Sequence, residues 1–93
     1  MIDVEWSADA EEDVDAILAY YEDRTLRFAT HFLTDVRTVV MALHGSPFLG
    51  RVVAEKGDPL IREVLIRGYK LEYRLDLELP TLLYILRVTY SGF

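Results

Sequence analysis

Residues Leu60–Asp76 read LIREVLIRGYKLEYRLD, and this stretch decides the fold. It divides at Gly68 into two strand-like runs. From Tyr69 to Asp76 apolar and charged side chains alternate strictly, so a strand there has one apolar face and one charged face. The run before it, Arg62–Arg67, is more continuously apolar, as in a strand that is covered or paired within a sheet. Because glycine tolerates the positive φ of a tight connection, the stretch predicts a β-hairpin at the centre of a sheet.

The chain before the hairpin predicts one strand and two helices. Apolar and acidic residues alternate over Ile2–Trp6, which indicates a first strand, and Ser7 and Thr25 are placed to cap the helices that follow. We expect the second helix to end at Gly45, with that glycine in the left-handed conformation. Each helix has one apolar stripe, formed by Ala10, Val14, Ile17, Leu18 and Tyr21 in the first and by Phe28, Ala29, Phe32, Leu33, Val36, Val39, Val40 and Leu43 in the second.

The chain on either side of the hairpin completes the predicted fold. Residues Phe48–Pro59 indicate a surface loop, with room for a short extended piece at 51–53. A last strand is predicted from Thr81 to Val88, with both faces apolar, as in a central or well-covered strand. Its predicted faces are Leu83, Ile85 and Arg87 on one side, and Leu82, Tyr84, Leu86 and Val88 on the other. The order β-α-α-β-β-β predicts an α+β fold, a helical hairpin on one face of a mainly antiparallel four-stranded sheet, in a single domain over 1–93.

Composition excludes several classes of function. The 93 residues contain no cysteine, so disulfides and thiolate zinc sites are excluded, and two histidines alone make a poor metal site. The net charge of −6 is concentrated in residues 1–46, which contain ten acidic residues and three basic ones. We therefore expect no cofactor or metal, no direct sequence-specific binding to nucleic acid, and no membrane partner. With no signal-like N-terminus, a cytoplasmic location is expected.

The cations of the C-terminal half are the candidates for polar chemistry. Those predicted to bind a partner or phosphate are Arg51, Arg62, Arg67, Lys70 and Arg74, and the candidates for catalysis are Arg62, Arg67, Arg87 and Tyr90. The alternative for each arginine is an ordinary cross-strand pair with Glu63, Glu72 or Asp76. Arg87 lies in an apolar strand, where a buried guanidinium needs a partner.

Two further sets of side chains are interpreted as structural. Tyr69 and Tyr73 share a face with leucines and are predicted to lie in the core. The acidic pairs Glu11–Glu12 and Asp13–Asp15 are interpreted as a solvated helix face rather than a carboxylate dyad.

Several short motifs occur together in one order along the chain. They are Trp6–Ser7 after the first strand, HGSPFLGR at 44–51, IRE at 61–63, GYKLEYR at 68–74 and ILRV at 85–88. Their joint order resembles the ParE/RelE superfamily of toxins from type II toxin–antitoxin modules, and it is more similar to the ParE, or plasmid-stabilisation, branch. The resemblance implies the same fold and an antitoxin partner held against the helical hairpin and the sheet. A homodimer and a heterotetramer with the antitoxin both stay open.

The resemblance leaves three functions to weigh. The first is a ParE-like toxin that inhibits DNA gyrase by binding. The second is a RelE-like endonuclease that cleaves messenger RNA on the ribosome, and the third is a non-toxic member that only binds an antitoxin or dimerises. Family members commonly continue after the last strand with a His or basic cluster, whereas this sequence reads TYSGF at 89–93. We therefore expect binding rather than catalysis, with ribonuclease the activity if the protein is an enzyme.

Overall fold

Two helices pack on one face of a β-sheet in the computed structural model, which describes residues 2–78 and 81–92. The strands are β1 (Asp3–Trp6), β2 (Arg51–Val52), β3 (Ile61–Ile66), β4 (Tyr69–Asp76) and β5 (Leu82–Tyr90), and the helices are α1 (Ala8–Glu22) and α2 (Leu26–Gly45). A short 3-10 helix, Ala54–Lys56, lies between β2 and β3. The predicted α+β class is confirmed. No helix in the described part of the chain is both long and apolar enough to cross a membrane.

The sheet has five strands, so the prediction of four was wrong. Its order is β1-β5-β4-β3-β2, in which β1 runs parallel to β5 and all other neighbours are antiparallel. The additional strand is the two-residue β2, in which Arg51 lies opposite Glu63 and Val52 lies opposite Arg62. It coincides with the short extended piece for which the sequence left room at 51–53, although two residues are too few for an alternating pattern to predict a strand.

Both predicted helix N-caps are confirmed. The Ser7 hydroxyl accepts a hydrogen bond from the amide of Ala10 at 3.0 Å, and the Thr25 hydroxyl accepts one from Phe28 at 3.2 Å. The predicted left-handed Gly45 is wrong. Gly45 is the last residue of α2, and the cap is Ser46 with φ −139°, whose amide donates to the Ala42 carbonyl.

The hairpin that joins β3 to β4 uses two residues with positive φ. Arg67 has φ 47° and Gly68 has φ 87°, the pattern of the tight turns whose twist matches that of flanking strands. Gly68 was expected to take this role, and Arg67 shares it. The turn places Ile66 opposite Tyr69 and fixes the register down the hairpin. Every second residue of β4 from Leu71 to Leu75 is consequently buried.

The core lies between the sheet and the two helical stripes. Tyr73 is fully buried, as predicted, whereas Tyr69 is only partly buried at the edge of the core. The other members with almost no exposed surface are Ala10, Phe32, Leu43, Leu71, Leu75, Leu83, Ile85 and Val88. The helical stripes read from the sequence therefore face the sheet.

A β-bulge in β5 changes which side chains face the core. Glu72 lies opposite Arg87 and Tyr73 opposite Ile85, so Leu86 is an extra residue with no partner on β4. Simple alternation placed Val88 on the face opposite Ile85, yet both are buried. The predicted faces of this strand were therefore wrong beyond the bulge. The strand also runs two residues further than predicted, to Tyr90, and the predicted Thr81 lies just before it.

The loop after α2 is fixed to the sheet by Tyr73. The Tyr73 hydroxyl donates to the Pro47 carbonyl at 2.8 Å and accepts from the Gly50 amide at 2.9 Å. Burial raises the pKa of this hydroxyl, so it stays neutral and keeps both bonds. A Cβ added at Gly50 would lie 2.8 Å from the carbonyl oxygen of Glu63 and 2.8 Å from the Tyr73 ring and hydroxyl. Only glycine therefore fits where the loop crosses the strand.

We expect Gly50→Ala to lower the free energy of unfolding by about 1–3 kcal/mol, because the added methyl group overpacks a contact that includes backbone. Gly45→Ala is the matched control, since a Cβ there meets nothing within 4 Å. Alanine in a helix is favoured over glycine, so the control should be neutral or more stable by up to about 1 kcal/mol. Urea unfolding followed by circular dichroism measures both variants. Equal stability of the two would contradict the role given to Gly50.

Candidate functional site

The start of α1 covers an edge of β5 that β1 leaves unpaired. β1 pairs with β5 only as far as Trp6 opposite Ile85. Beyond that point the Ser7 hydroxyl donates to the Leu86 carbonyl at 2.9 Å, and a carboxylate oxygen of Asp13 accepts from the Val88 amide at 2.9 Å. Two side chains of the helix thus take the place of a neighbouring strand.

Arg87 is held by the same carboxylate. Its Nε donates to Asp13 Oδ2 at 2.8 Å and its Nη2 donates to Oδ1 at 3.0 Å, which makes a bidentate pair. The hydrogen bond from Arg87 is the main reason why the pKa of Asp13 is lowered, and Asp13 in turn raises the pKa of Arg87. The Arg87 side chain is 52% exposed. Arg87 is therefore a paired arginine, as the alternative had it, but its guanidinium is not buried.

The interpretation of Asp13 as part of a solvated helix face was wrong. Its side chain is only 17% exposed and accepts three hydrogen bonds from β5. Asp13 lies three residues after the buried Ala10 and four before the buried Ile17. That spacing puts it on the buried side of α1, and the helical period alone could have identified it.

Arg62 holds backbone at the end of the sheet. It donates to the carbonyl oxygens of Gly50 at 2.9 Å, Phe48 at 3.3 Å and Pro59 at 3.2 Å. Its guanidinium carbon also lies 5.0 Å from the centre of the Phe48 ring. The arginine therefore connects both ends of the segment that joins α2 to β3. Sequence reasoning placed it among phosphate-binding candidates and did not anticipate this structural contact.

Arg51 and Lys56 cover two carboxylates on the outer face of the sheet. Arg51 Nη2 lies 2.7 Å from Glu63 Oε2, and Lys56 Nζ lies 3.7 Å from Glu72 Oε2. The acids are nearly covered, at 10% and 12% side-chain exposure, while the cations stay exposed. Glu63 and Glu72 are direct cross-strand neighbours, so without these cations two like charges would meet.

The remaining candidates lie at separate places on the sheet. Arg67 donates to Asp35 on α2 at 2.5 Å. Tyr90 is 70% exposed at the end of β5, where its ring packs edge-on against Tyr69 at 5.4 Å. Lys70 and Arg74 lie on the outer face of β4, and within residues 2–78 and 81–92 neither forms an ion pair. Their role in binding stays a prediction.

Taken together, the candidate cations do not converge on one centre. Arg62 and Arg67 are at opposite ends of β3, and Arg87 is held against α1. Within the described residues no group of three or more His, Cys, Asp or Glu side chains is arranged to hold a metal. His44 instead contacts the carbonyl oxygen of Ile2 at 2.9 Å through Nδ1. The polar side chains therefore mainly hold elements of the fold together.

An apolar groove lies between the two helices, beside the end of β1. It has a volume of about 660 Å³. The apolar lining is Trp6, Val14, Leu33, Val36, Val40 and Met41. Glu11 and Asp15 border it on α1, and Arg37 borders it on α2. Sequence reasoning assigned Val36 and Val40 to the core stripe but did not predict that part of that stripe lines a groove.

Comparison with known proteins assigns the chain to a family. The profile of the family described as "ParE toxin of type II toxin-antitoxin system, parDE" matches residues 4–92. A solved structure titled "Chromosomal ParDE TA system from P. aeruginosa" superposes with a TM-score of 0.75 at 20% identity, covering 97% of this chain and 96% of that chain. A search of curated proteins gave no significant match.

The chain therefore belongs to the ParE toxin family of type II toxin–antitoxin systems. The structural likeness independently supports the fold, since the two chains superpose over nearly their full length. The resemblance read from the motifs, including its preference for the ParE branch, is confirmed.

We expect Asp13→Ala to lower the free energy of unfolding at neutral pH by about 1–3 kcal/mol. The amide of Val88 would lose its hydrogen-bond acceptor, and the Arg87 guanidinium would lose its carboxylate partner. Glu12→Ala is the control, since Glu12 is exposed on the same helix. Thermal and urea unfolding of both variants measure the difference. Equal loss in both variants would contradict the role of Asp13 on β5.

The stabilisation that Asp13 gives to the folded protein should also depend on pH, and it should decrease as the pH falls. Its pKa in the folded protein is lowered from 3.8, so the unfolded chain binds its proton first as the pH falls. The stabilisation is therefore complete well above pH 3.8 and is lost as the pH falls from 3.8 through the lowered pKa. Urea titrations of wild type and Asp13→Asn across this range should converge at the acidic end. A difference that stays constant with pH would contradict the assignment.

Proposed function

We propose that the protein is the toxin of a type II module, neutralised by a cognate antitoxin, and that it acts by binding DNA gyrase. The main support for this proposal is that most of the candidate cations already bind groups of the fold, whereas the groove between the helices is open. Three of the four residues considered for catalysis, Arg62, Arg67 and Arg87, hold carbonyls or carboxylates of the fold itself. The groove between the helices, by contrast, leaves apolar surface uncovered. That arrangement supports recognition of protein partners in the cytoplasm.

The groove fits an amphipathic helix of the antitoxin. Its lining on α2 runs from Leu33 to Met41, about two turns, and Trp6 of β1 also lines it. A helix with apolar residues at positions i, i+3, i+4 and i+7 would cover this surface. Glu11 and Asp15 on one wall favour basic residues on the facing flank of that helix, and Arg37 on the other wall favours an acidic residue.

We expect Met41→Asp to weaken antitoxin binding roughly tenfold or more, because a carboxylate would be desolvated against apolar surface. Met41 is 72% exposed in the free protein, so the variant should fold normally. Leu26→Asp is the matched control: Leu26 is 66% exposed on the same helix and does not line the groove. Calorimetric titration with the antitoxin from the neighbouring reading frame compares the two. Similar affinity of both variants would place the antitoxin elsewhere.

Gyrase is the proposed target because the family branch implies it and because the structure offers binding surfaces. The outer face of the sheet presents Lys70 and Arg74 without carboxylate partners within the described residues. The helical side presents the groove. An antitoxin that occupies one surface can block access to a neighbouring one, which is how a binding toxin is neutralised without loss of its fold.

Purified protein should inhibit gyrase supercoiling of a relaxed plasmid, and prior addition of the antitoxin should remove the inhibition. A gel assay over a range of toxin-to-gyrase ratios measures this, with heat-denatured protein as the control. No inhibition at any ratio would remove gyrase as the target. Cleavage of transcripts in a translation extract would instead favour the ribosome-dependent endonuclease, and growth of expressing cells without arrest would favour a non-toxic member.

A further inference from the structure

The loop from Pro47 to Gly50 has a fixed conformation although it lies on the surface. Its two ends are bonded to the same Tyr73 hydroxyl, which donates to the Pro47 carbonyl and accepts from the Gly50 amide. Arg62 adds bonds to the carbonyls of Phe48 and Gly50, and the Leu49 amide donates to the Ser46 carbonyl at 3.0 Å. Every residue of the loop thus has at least one backbone group held. The loop can be presented to a partner with little loss of conformational entropy.

This rigid loop displays large apolar side chains to solvent. Phe48 is 51% exposed and Leu49 is 55% exposed, and Val52 nearby in sequence is 43% exposed. Phe48 and Leu49 are adjacent, and their backbone conformation is set by the bonds to Tyr73 and Arg62. Exposed apolar residues that cluster on a fixed loop mark an interaction site more strongly than scattered ones.

A positive charge lies beside the loop, on Arg62 of β3. The Arg62 guanidinium lies 5.0 Å from the Phe48 ring centre, in the range of a cation–π contact. Its hydrogen bonds go to carbonyl oxygens, and within residues 2–78 and 81–92 no carboxylate pairs with it. The charge therefore persists beside the apolar side chains, in a protein whose net charge is −6. A partner that fits this surface has an apolar depression bordered by carboxylates.

We propose that Phe48 and Leu49, beside Arg62, form the surface with which the toxin contacts an acidic, apolar-lined site on its target protein. The proposal rests on the function proposed above and adds the contact surface. Aromatic and arginine side chains are enriched among the residues that dominate binding energy at protein interfaces. None of the three residues lines the groove assigned to the antitoxin. The toxin thus has one surface for neutralisation and another for its target.

The test compares Phe48→Ala/Leu49→Ala with a control in which two other exposed leucines are truncated, Leu26→Ala/Leu65→Ala. Leu26 is 66% and Leu65 is 43% exposed, and neither lies on the loop or in the groove. We expect the loop variant to need about tenfold more protein for half-inhibition of gyrase supercoiling, and the control to match wild type. Antitoxin affinity and urea unfolding should be unchanged in both variants.

A pair of single variants tests the charge of the partner. Leu49→Asp places a negative charge against the proposed carboxylates and should weaken inhibition more than Leu49→Lys, which places a positive charge there. Both replace the same half-exposed side chain, so their folding should be alike. Equal effects of the two substitutions would contradict an acidic partner surface.

The outcomes separate this inference from the proposed function. If wild type inhibits gyrase and the loop double variant inhibits equally, the loop is excluded while the gyrase target stands. If wild type does not inhibit gyrase but arrests growth, gyrase is not the target. Whether the loop variant also arrests growth then tests whether the loop contacts the target. Loss of arrest with intact antitoxin binding would support the loop, and unchanged arrest would overturn it.

Discussion

The fold depends on how the two edges of β5 obtain their hydrogen bonds. β4 pairs with one edge from Leu82 to Tyr90 except at Leu86, but β1 covers the other edge only to Ile85. The bulge at Leu86 bends the strand at that point, and α1 then takes over through Ser7 and Asp13. Since buried backbone groups need partners, this constraint fixes where α1 begins and how it lies on the sheet. The position of α2, and so of the groove between the helices, follows from it.

A second set of bonds holds the loop from Pro47 to Gly50. Tyr73 comes from the centre of the core, and Arg62 comes from the neighbouring strand, yet both bind the backbone between Pro47 and Gly50. The groove depends on the packing of helices, whereas the loop depends on polar contacts at the end of the sheet. A substitution can therefore change one surface and leave the other intact.

Most of the architecture could be predicted from the sequence, because the helical and strand periods repeat over many consecutive residues. The caps at Ser7 and Thr25, the hairpin at Gly68 and the core position of Tyr73 all follow local rules. The bulge at Leu86 could not be predicted, since one extra residue leaves no compositional signal. The candidate site was predicted least well. An arginine chosen for its charge, such as Arg62 or Arg87, gives no indication of whether it will meet a phosphate, a carbonyl or a carboxylate. Only the contacts in three dimensions decide that.

The parallel pairing of β1 with β5 has a consequence for the order in which the fold forms. β1 is the first of the five strands in sequence, and its partner β5 is the last. The two can therefore pair only when residues as far apart as Asp3 and Leu82 come together. Contacts so distant in sequence form late and slow folding. Trp6 in β1 lines the groove, and the Ser7 hydroxyl bonds the start of α1 to β5. The groove is consequently complete only once the last of these strands has paired with the first.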